Sequence, residues 1–155
     1  MNGDEPIGLL IGAVRRRIRQ AVGSQVRRYH LTTQQFWVLV AIYEHPGFSL
    51  GQLAAHLRMD EPTASRVVGA LMKRKLVQVK GDAADRRRAC IHLRAPGAEL
   101  GKELRALATT VRAAVVQGLR PTEQAALRGS LRKIIANMDR LQGNHTTGSP
   151  DSEDA

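Results

Sequence analysis

Two helix-start signals follow one another near the middle of the chain and restrict how it can fold there. Thr32 and Gln35 have the spacing of a capping box, and Ser49 and Gln52 repeat it. A third start is predicted at Asp60, a favourable N-cap residue. Since each signal begins a new helix, the sequence predicts short helices separated by turns here, rather than one long helix or a sheet.

Apolar residues recur at helical spacing after each start and predict the buried faces. These positions are Phe36, Leu39, Val40 and Tyr43, then Leu50, Leu53, Ala54 and Leu57, then Ala64, Val67, Val68 and Leu71. The outer face of the third helix is left with Thr63, Ser65, Arg66, Gly69, Ala70 and Lys73.

A β-hairpin is predicted after the third helix, with strands at roughly 77–80 and 89–93 and a turn beginning at Gly81. Alternation in the second strand places Ala89, Ile91 and Leu93 on one face and Cys90 and His92 on the other. Short helix, turn, short helix and hairpin together make a winged helix-turn-helix.

Long amphipathic helices flank this unit. Their apolar stripes are Ile7, Leu10, Ile11, Val14, Ile18 and Val22; Leu100, Leu104, Leu107, Val111, Ala114 or Val115, and Leu119; and Leu127, Leu131, Ile134, Met138 and Leu141. The small central unit offers too little surface to cover them, so we predict a twofold homodimer.

The predicted fold class is therefore mainly α with a small β-hairpin wing. We expect one domain over residues 1–142, in which 31–94 form the winged helix-turn-helix and 5–29 and 95–142 form the dimerisation helices. Residues 143–155 contain no apolar anchor and are predicted to be a disordered tail.

Basic charge is concentrated in and around the hairpin. The chain carries a formal net charge of +10. Residues 61–94 contain nine basic and three acidic side chains. About a fifth of the chain therefore carries a net charge of +6. Charge gathered in this way is typical of a surface that binds a polyanion such as DNA.

The stretch LTTQQFWVLVAIYEHPGFSLGQLAAHLRMDEPTASRVVGALMKRKLVQVKGDAADRRRACIHLRAPGAEL resembles MarR-type (multiple antibiotic resistance regulator) transcription regulators. Its most specific pieces are LAAHLRMDEPTASRVVGAL and KLVQVKGDAADRRRACIHL, and Asp85-Arg86-Arg87 is close to a family signature. The resemblance implies a homodimer on a pseudo-palindromic double-stranded DNA operator. It also implies that the helix at 60–74 enters the major groove, that the wing enters the adjacent minor groove, and that a ligand or oxidant often weakens DNA binding.

From the residues and the resemblance together we predict one set of DNA-binding residues: Ser49, Thr63, Ser65, Arg66, Lys73, Asp85, Arg86, Arg87 and Arg88. Hydroxyls reach phosphates or base edges, and an arginine can bind guanine bidentately. In the wing, we expect Asp85 to accept hydrogen bonds from the guanidinium two residues on. The family alignment favours Arg87 as the minor-groove side chain, with Arg86 and Arg88 on phosphates.

Simpler interpretations stay open for the same residues. The arginine triplet is also compatible with a solvated hairpin tip. Arg66 could instead pair with Glu61 or Asp60, and Thr63 and Ser65 could be plain helix surface.

An effector pocket is a further prediction. Trp37 is interpreted first as packing in the core or a dimer interface, and with His30 and Phe36 it could also line a site for a small anionic or aromatic molecule. The basic cluster Arg15–Arg19 is interpreted as a solvated helix face rather than a DNA contact, and it could hold an anionic effector.

Two helix starts depart from the family pattern because they lack a capping side chain. Arg94 stands where a threonine is common, and Arg120 precedes Pro121, although Thr122 could cap one turn later. Each missing cap would cost about 1 kcal/mol.

Other functional classes find little support. A single cysteine, Cys90, excludes an internal disulfide, and a redox role for it is the less favoured interpretation. The histidines show no metal-ligand spacing, so neither metal nor cofactor is predicted; they are His30, His45, His56, His92 and His145. No catalytic motif occurs, so we do not expect an enzyme.

Three further expectations concern location and partners. Basic residues follow the N-terminal apolar ones, the reverse of a signal peptide, so the chain is predicted to be cytoplasmic. Aromatic residues make up 3%, which is low for a protein that binds membrane surfaces. The remaining alternative is a regulatory module of the same fold that acts through a protein partner without binding an operator, and the intact wing argues against it.

Overall fold

The computed structural model of the chain describes residues 3–85 and 87–146, and only the backbone of residues 144–146. The elements in chain order are α1 (Ile7–Val26), a 3-10 turn (Arg27–Tyr29), α2 (Thr33–Glu44), α3 (Leu50–Leu57), α4 (Glu61–Lys73), β1 (Val77–Gly81), β2 (Ala89–Leu93), α5 (Ala95–Val116) and α6 (Pro121–Thr146). This order confirms the mainly α fold with a hairpin wing. The chain divides into two compact units, Met1–Val115 and Val116–Ala155, which are described separately. The single-domain organisation stays a prediction.

All three predicted helix starts are confirmed at the predicted residues. Thr32 Oγ1 accepts the Gln35 N–H at 3.1 Å, and Gln35 Oε1 accepts the Thr32 N–H at 3.0 Å. Ser49 and Gln52 form the same reciprocal pair, at 3.2 and 3.0 Å. These bonds satisfy amide groups that the first turn of a helix leaves without partners.

The core of the first unit is built around α2. Its buried residues are Phe36, Val38, Leu39, Val40, Ala41 and Ile42. The predicted single stripe was therefore too narrow, and Tyr43 is only half-buried. The reason is that α2 contacts α1, α3, α4 and β2, so little of its surface remains in solvent.

Small residues bring α5 close to the same core. Gly97, Gly101 and Ala108 are buried together with Leu104. A Cβ on Gly97 would lie 2.0 Å from the Leu76 carbonyl oxygen. The predicted stripe contained Leu104 but missed the two glycines and Ala108. Glycines carry no apolar signal in a sequence.

The hairpin is antiparallel, with register from Val77↔Leu93 to Gly81↔Ala89. Burial does not follow the predicted alternation of faces in β2, since Cys90 and Ile91 are both buried while Ala89 is exposed. The strand packs against α2 and α3 as well as pairing with β1, so residues on both of its faces are covered. In addition, the Ile91 N–H donates to the carbonyl oxygen of Phe48, in the loop between α2 and α3, at 2.8 Å.

The starts of the last two helices differ in how they are capped. α5 begins at Ala95, and the Arg94 carbonyl oxygen accepts the Ala98 N–H at 2.8 Å. At α6 the side chain of Glu123, and not a residue at the predicted cap position, contacts the residue that precedes the helix. Glu123 Oε2 accepts the Arg120 N–H at 2.8 Å, and its other oxygen pairs with the Arg120 guanidinium at 3.1 Å.

The second unit consists of α6 and the residues that lead into it. The helix continues to Thr146, beyond the end predicted at 142, and the remainder of the predicted tail lies outside the described residues. Its apolar seam is largely exposed: Leu127 48%, Leu131 36%, Met138 49% and Leu141 53%. Across the described part of the chain, no helix has the length and apolar character needed to cross a membrane.

Candidate nucleic-acid interface

Helix α4 presents the polar face that its sequence predicts. Ala64, Val67, Val68 and Leu71 are buried. Ser65, Arg66 and Lys73 are exposed, and Thr63 is half-buried. The helix is thus fixed to the core along one side and leaves its opposite side open to a partner.

The first turn of α4 is stabilised by Asp60. Its Oδ1 accepts the Thr63 N–H at 2.7 Å, and its Oδ2 accepts the Thr63 hydroxyl at 2.9 Å. These two bonds, the backbone one first, lower the pKa of Asp60 below its usual range. The Thr63 hydroxyl proton is therefore used inside the protein, and its oxygen remains as a possible acceptor.

Arg66 extends from the middle of α4 into solvent. Within the described residues it forms no ion pair with Glu61 or Asp60, which was the alternative interpretation. Its charge also helps to lower the pKa of Asp60. Since no hydrogen bond joins the two side chains in the described residues, the Arg66 guanidinium keeps its five donors for an external acceptor.

Arg74, at the C-terminal end of α4, has a structural role instead. Its Nη1 donates to the His30 carbonyl oxygen at 2.9 Å and its Nη2 to the Tyr29 carbonyl oxygen at 3.1 Å. Both acceptors lie in the turn between α1 and α2. One of the nine basic residues counted toward the anion-binding surface therefore stabilises the fold.

The wing tip is closed by two aspartates. Asp82 Oδ1 accepts the Ala84 N–H at 2.9 Å, and Asp85 Oδ1 accepts the Arg87 N–H at 3.0 Å. The prediction that Asp85 binds the guanidinium two residues on is wrong, because its bond goes to the backbone amide of that residue. Arg87 is exposed, and Arg86 lies outside the described residues.

Arg88 does not extend freely from the wing. Its Nη2 donates to Gln52 Oε1, the oxygen that also accepts the Ser49 N–H in the α3 capping box. Ser49 is half-buried at the start of α3. No local pattern predicts this contact, since Arg88 and Gln52 are 36 residues apart.

The predicted effector residues have different surroundings. Phe36 is fully buried, and its ring contacts that of half-buried Trp37, with centroids 4.7 Å apart. His30 is exposed in a left-handed backbone conformation with φ 54°. The side chains that accompany Trp37 were missed by sequence reasoning.

Arg112 of α5 is the principal side chain that lies beside Trp37 and was not predicted to do so. Its guanidinium lies 5.8 Å from the Trp37 ring centroid and binds both oxygens of Glu44, at 2.7 and 3.0 Å. The hydrogen bond from Arg112 lowers the pKa of Glu44. This pair connects the end of α2 to α5.

Cys90, His45 and His56 make packing contacts within the described residues. Cys90 is buried, with its Sγ 3.9 Å from Asp82 Oδ2. His45 and His56 pack against Phe48, while the side chain of His145 lies outside the description. Among the described residues, no group of three or more His, Cys, Asp or Glu side chains is placed to hold a metal ion. The Arg15–Arg19 cluster includes the exposed residues Arg15, Arg16, Arg17 and Arg19.

Comparison with known proteins places this arrangement among DNA-binding regulators. Residues 29–88 match the model of the MarR family. The HTH-type transcriptional repressor NicR of Pseudomonas putida KT2440 is 29% identical over 131 residues, 84% of this chain and 83% of its own length.

Solved structures agree with this family match. BpsR of Bordetella bronchiseptica, whose DNA binding is described as regulated by 6-hydroxynicotinic acid, is 30% identical with a TM-score of 0.68, over 84% of this chain and 98% of that one. The Staphylococcus aureus MepR–DNA complex shares the fold, with a TM-score of 0.74 at 22% identity over 86% of this chain and 99% of that one.

Proposed function

The chain belongs to the MarR family of winged helix-turn-helix transcription regulators, and from this premise we propose that it is a homodimeric, cytoplasmic repressor that acts by binding rather than by catalysis. It binds a pseudo-palindromic operator in double-stranded DNA, and a small molecule releases it. The observation that carries the proposal is the exposed polar face of α4 beside a wing whose tip exposes Arg87.

On the operator, α4 lies in the major groove and the wing in the adjacent minor groove. Arg66 has the reach and the free donors to bind guanine O6 and N7, and Ser65 faces the same side of the helix. Lys73 contacts the phosphate backbone. At the wing, Arg87 enters the narrow minor groove, where the negative potential favours a guanidinium.

Dimerisation follows from apolar surface that each unit exposes. In the first unit, α1 exposes Ile7 63%, Leu9 64%, Leu10 45% and Val14 53%. In the second, the seam of α6 is exposed in the same way. A second copy that covers these surfaces through a twofold axis would place two α4 helices on two half-sites.

The effector that fits best is a small aromatic acid. Trp37 is half-buried and offers a ring face, Phe36 packs behind it, and His30 lies in the turn before α2. The relationship to BpsR, which is described with 6-hydroxynicotinic acid, supports this class of ligand.

Selection of bound fragments from genomic DNA at physiological salt tests the proposal directly. We expect enrichment of a short inverted repeat, and reduced recovery in the presence of 6-hydroxynicotinic acid or a related aromatic acid. Affinity for the selected sequence should fall steeply with salt, because phosphate contacts release counterions. Failure to enrich any sequence, together with a flat salt profile, would favour a module that acts through a protein partner.

A further inference from the structure

One oxygen atom connects the wing to the helix-turn-helix. Gln52 Oε1 accepts the Ser49 N–H at 3.0 Å as half of the α3 capping box, and it also accepts a hydrogen bond from Arg88. An amide oxygen has two lone pairs, so both donors are satisfied together. The start of α3 and the outgoing side of the wing are thereby bound to the same side chain.

A second bond holds the same strand to the same segment. The Ile91 N–H donates to the carbonyl oxygen of Phe48, the residue immediately before Ser49, at 2.8 Å. Between these two points, β2 runs alongside the loop that precedes α3. An isolated two-stranded hairpin is marginally stable in water, so such attachments determine how the wing is oriented.

Arg88 also closes the wing tip through its backbone. Its N–H donates to the Asp85 carbonyl oxygen at 3.0 Å, and its own carbonyl oxygen accepts the Asp82 N–H at 2.7 Å. A movement of Arg88 therefore moves the whole turn that carries Arg87. The guanidinium on Gln52 fixes the position of that turn relative to α3.

We infer that Arg88 is a positioning residue that acts through Gln52, and not a phosphate contact. Docked on the α3 capping box, it holds the wing tip at the angle at which Arg87 meets the minor groove. The binding-competent orientation is set before DNA arrives, so less conformational entropy is lost on binding. This inference rests on the proposed DNA binding and assigns a different role to one of its predicted contacts.

Substitutions at Arg88 and Gln52 test this inference, and Gln35 provides a matched control for the loss of a capping box. Gln35 makes the same two capping-box bonds in α2 as Gln52 makes in α3. Gln35→Ala thus removes an equivalent cap, while Gln52→Ala removes a cap and the partner of Arg88. Gln52→Glu keeps a capping side chain and offers Arg88 a charged acceptor.

The first measurement is hydrogen exchange of the wing amides in the free protein. We expect Arg88→Ala and Gln52→Ala to accelerate exchange at residues 82–85, 87 and 88 by roughly three- to tenfold, as the loss of one hydrogen bond of ordinary net strength implies. Gln35→Ala and Gln52→Glu should leave exchange there as in the wild type. Equal acceleration in Gln35→Ala, or none in Arg88→Ala, would overturn the inference.

The second measurement is affinity for the selected operator in a double-mutant cycle. Arg88→Ala and Gln52→Ala should each weaken operator binding by roughly three- to tenfold. The double variant should lose no more affinity than the single variant with the larger loss, because both substitutions break the same hydrogen bond. The slope of affinity against salt should stay unchanged in Arg88→Ala. Additive losses with a slope lower by about one would identify Arg88 as an independent phosphate contact.

The two measurements separate this inference from the proposed function. If the wild type binds no operator, the proposed function fails, whereas hydrogen exchange still decides whether Arg88 holds the wing. If the wild type binds the operator and both single variants bind it with wild-type affinity, the proposed operator binding stands and the positioning role of Arg88 is excluded.

Discussion

At the scale of single residues, arginines with the same charge have different roles because they have different neighbours. Arg74 binds two carbonyl oxygens of the turn before α2, and Arg112 binds the Glu44 carboxylate. Arg66 and Arg87 are exposed and form no ion pair within the described residues. The first pair holds the fold, and the second pair is available to DNA.

Replacement of Arg66 should therefore weaken DNA binding without loss of stability. We expect Arg66→Ala to cost about 1–3 kcal/mol of operator affinity, because a bidentate base contact is removed. Fluorescence anisotropy measures the affinity and urea unfolding the stability. Arg74→Ala is the matched control and should instead lower the free energy of unfolding by about 1–2 kcal/mol. Unchanged operator affinity in Arg66→Ala would exclude it from the interface.

Arg87 makes a related prediction for the wing. We expect Arg87→Ala to lose about 1–3 kcal/mol of operator affinity, most strongly on operators whose flanks are rich in A·T pairs. Binding titrations on operators with A·T and G·C flanks measure this. The urea unfolding curve should be unchanged, because Asp85 binds the backbone amide of this residue and not its side chain. An equal loss on both flank types would argue against minor-groove insertion.

The sequence predicted the outer face of α4 because helical periodicity is a local property. It could not distinguish the structural arginines, since their partners are far along the chain. Arg74 and the His30 carbonyl are 44 residues apart, and Arg112 and Glu44 are 68 apart. Only the folded chain brings these groups together, so residue type and spacing could not identify them.

At the scale of helices and strands, local signals and neighbours determine different properties. The capping boxes at Thr32 and Ser49 involve residues within one turn, and the structure has them as predicted. Burial around α2 and along β2 depends on which elements pack there. The predicted stripe of α2 was therefore too narrow, and the burial of Cys90 beside Ile91 was not predicted. The close approach of α5 likewise depends on Gly97, which has no predictive pattern of its own.

Substitution of Gly97 by alanine should change the stability of the protein in the opposite direction from substitution of a glycine whose Cβ position is unoccupied. A Cβ at Gly97 would lie 2.0 Å from the Leu76 carbonyl oxygen, so we expect Gly97→Ala to destabilise the protein by about 1–3 kcal/mol. Gly69 in α4 has nothing within 4 Å, and Gly69→Ala should stabilise by about 0.5–1 kcal/mol. Urea unfolding measures both, and effects of the same sign would contradict the packing of α5.

The link between α2 and α5 should depend on pH. Hydrogen bonding to Arg112 lowers the pKa of Glu44 in the folded state, so this contribution is present above the usual carboxyl range and is lost as the pH falls through the lowered pKa. Glu44→Gln removes the titration. We expect the variant to lose about 1 kcal/mol less stability than the wild type between about pH 7 and pH 3. Identical pH profiles in urea unfolding would show that the pair contributes nothing.

At the scale of the whole molecule, the described residues form two kinds of exposed surface, one basic and one apolar. Residues 61–94 carry an excess of positive charge, while α1 and, in the other unit, α6 expose apolar side chains. Charge draws the protein to DNA of any sequence, whereas two half-sites in fixed spacing are needed for high specificity. In the proposed homodimer, a twofold axis would cover the apolar surfaces and supply the second half-site contact.

Charged residues in the α1 stripe should consequently weaken both the dimer and operator binding. Leu10 and Val14 are 45% and 53% exposed and lie one helical turn apart. We expect Leu10→Glu with Val14→Glu to shift light scattering toward the monomer and to reduce operator affinity by more than about 100-fold, because each monomer reaches only one half-site. Gln20→Glu with Ser24→Glu introduces the same spacing of acidic residues at exposed polar positions of α1 and should leave both properties nearly unchanged. If the first variant remains a dimer with wild-type affinity, α1 lies outside the interface and its exposed residues have another partner.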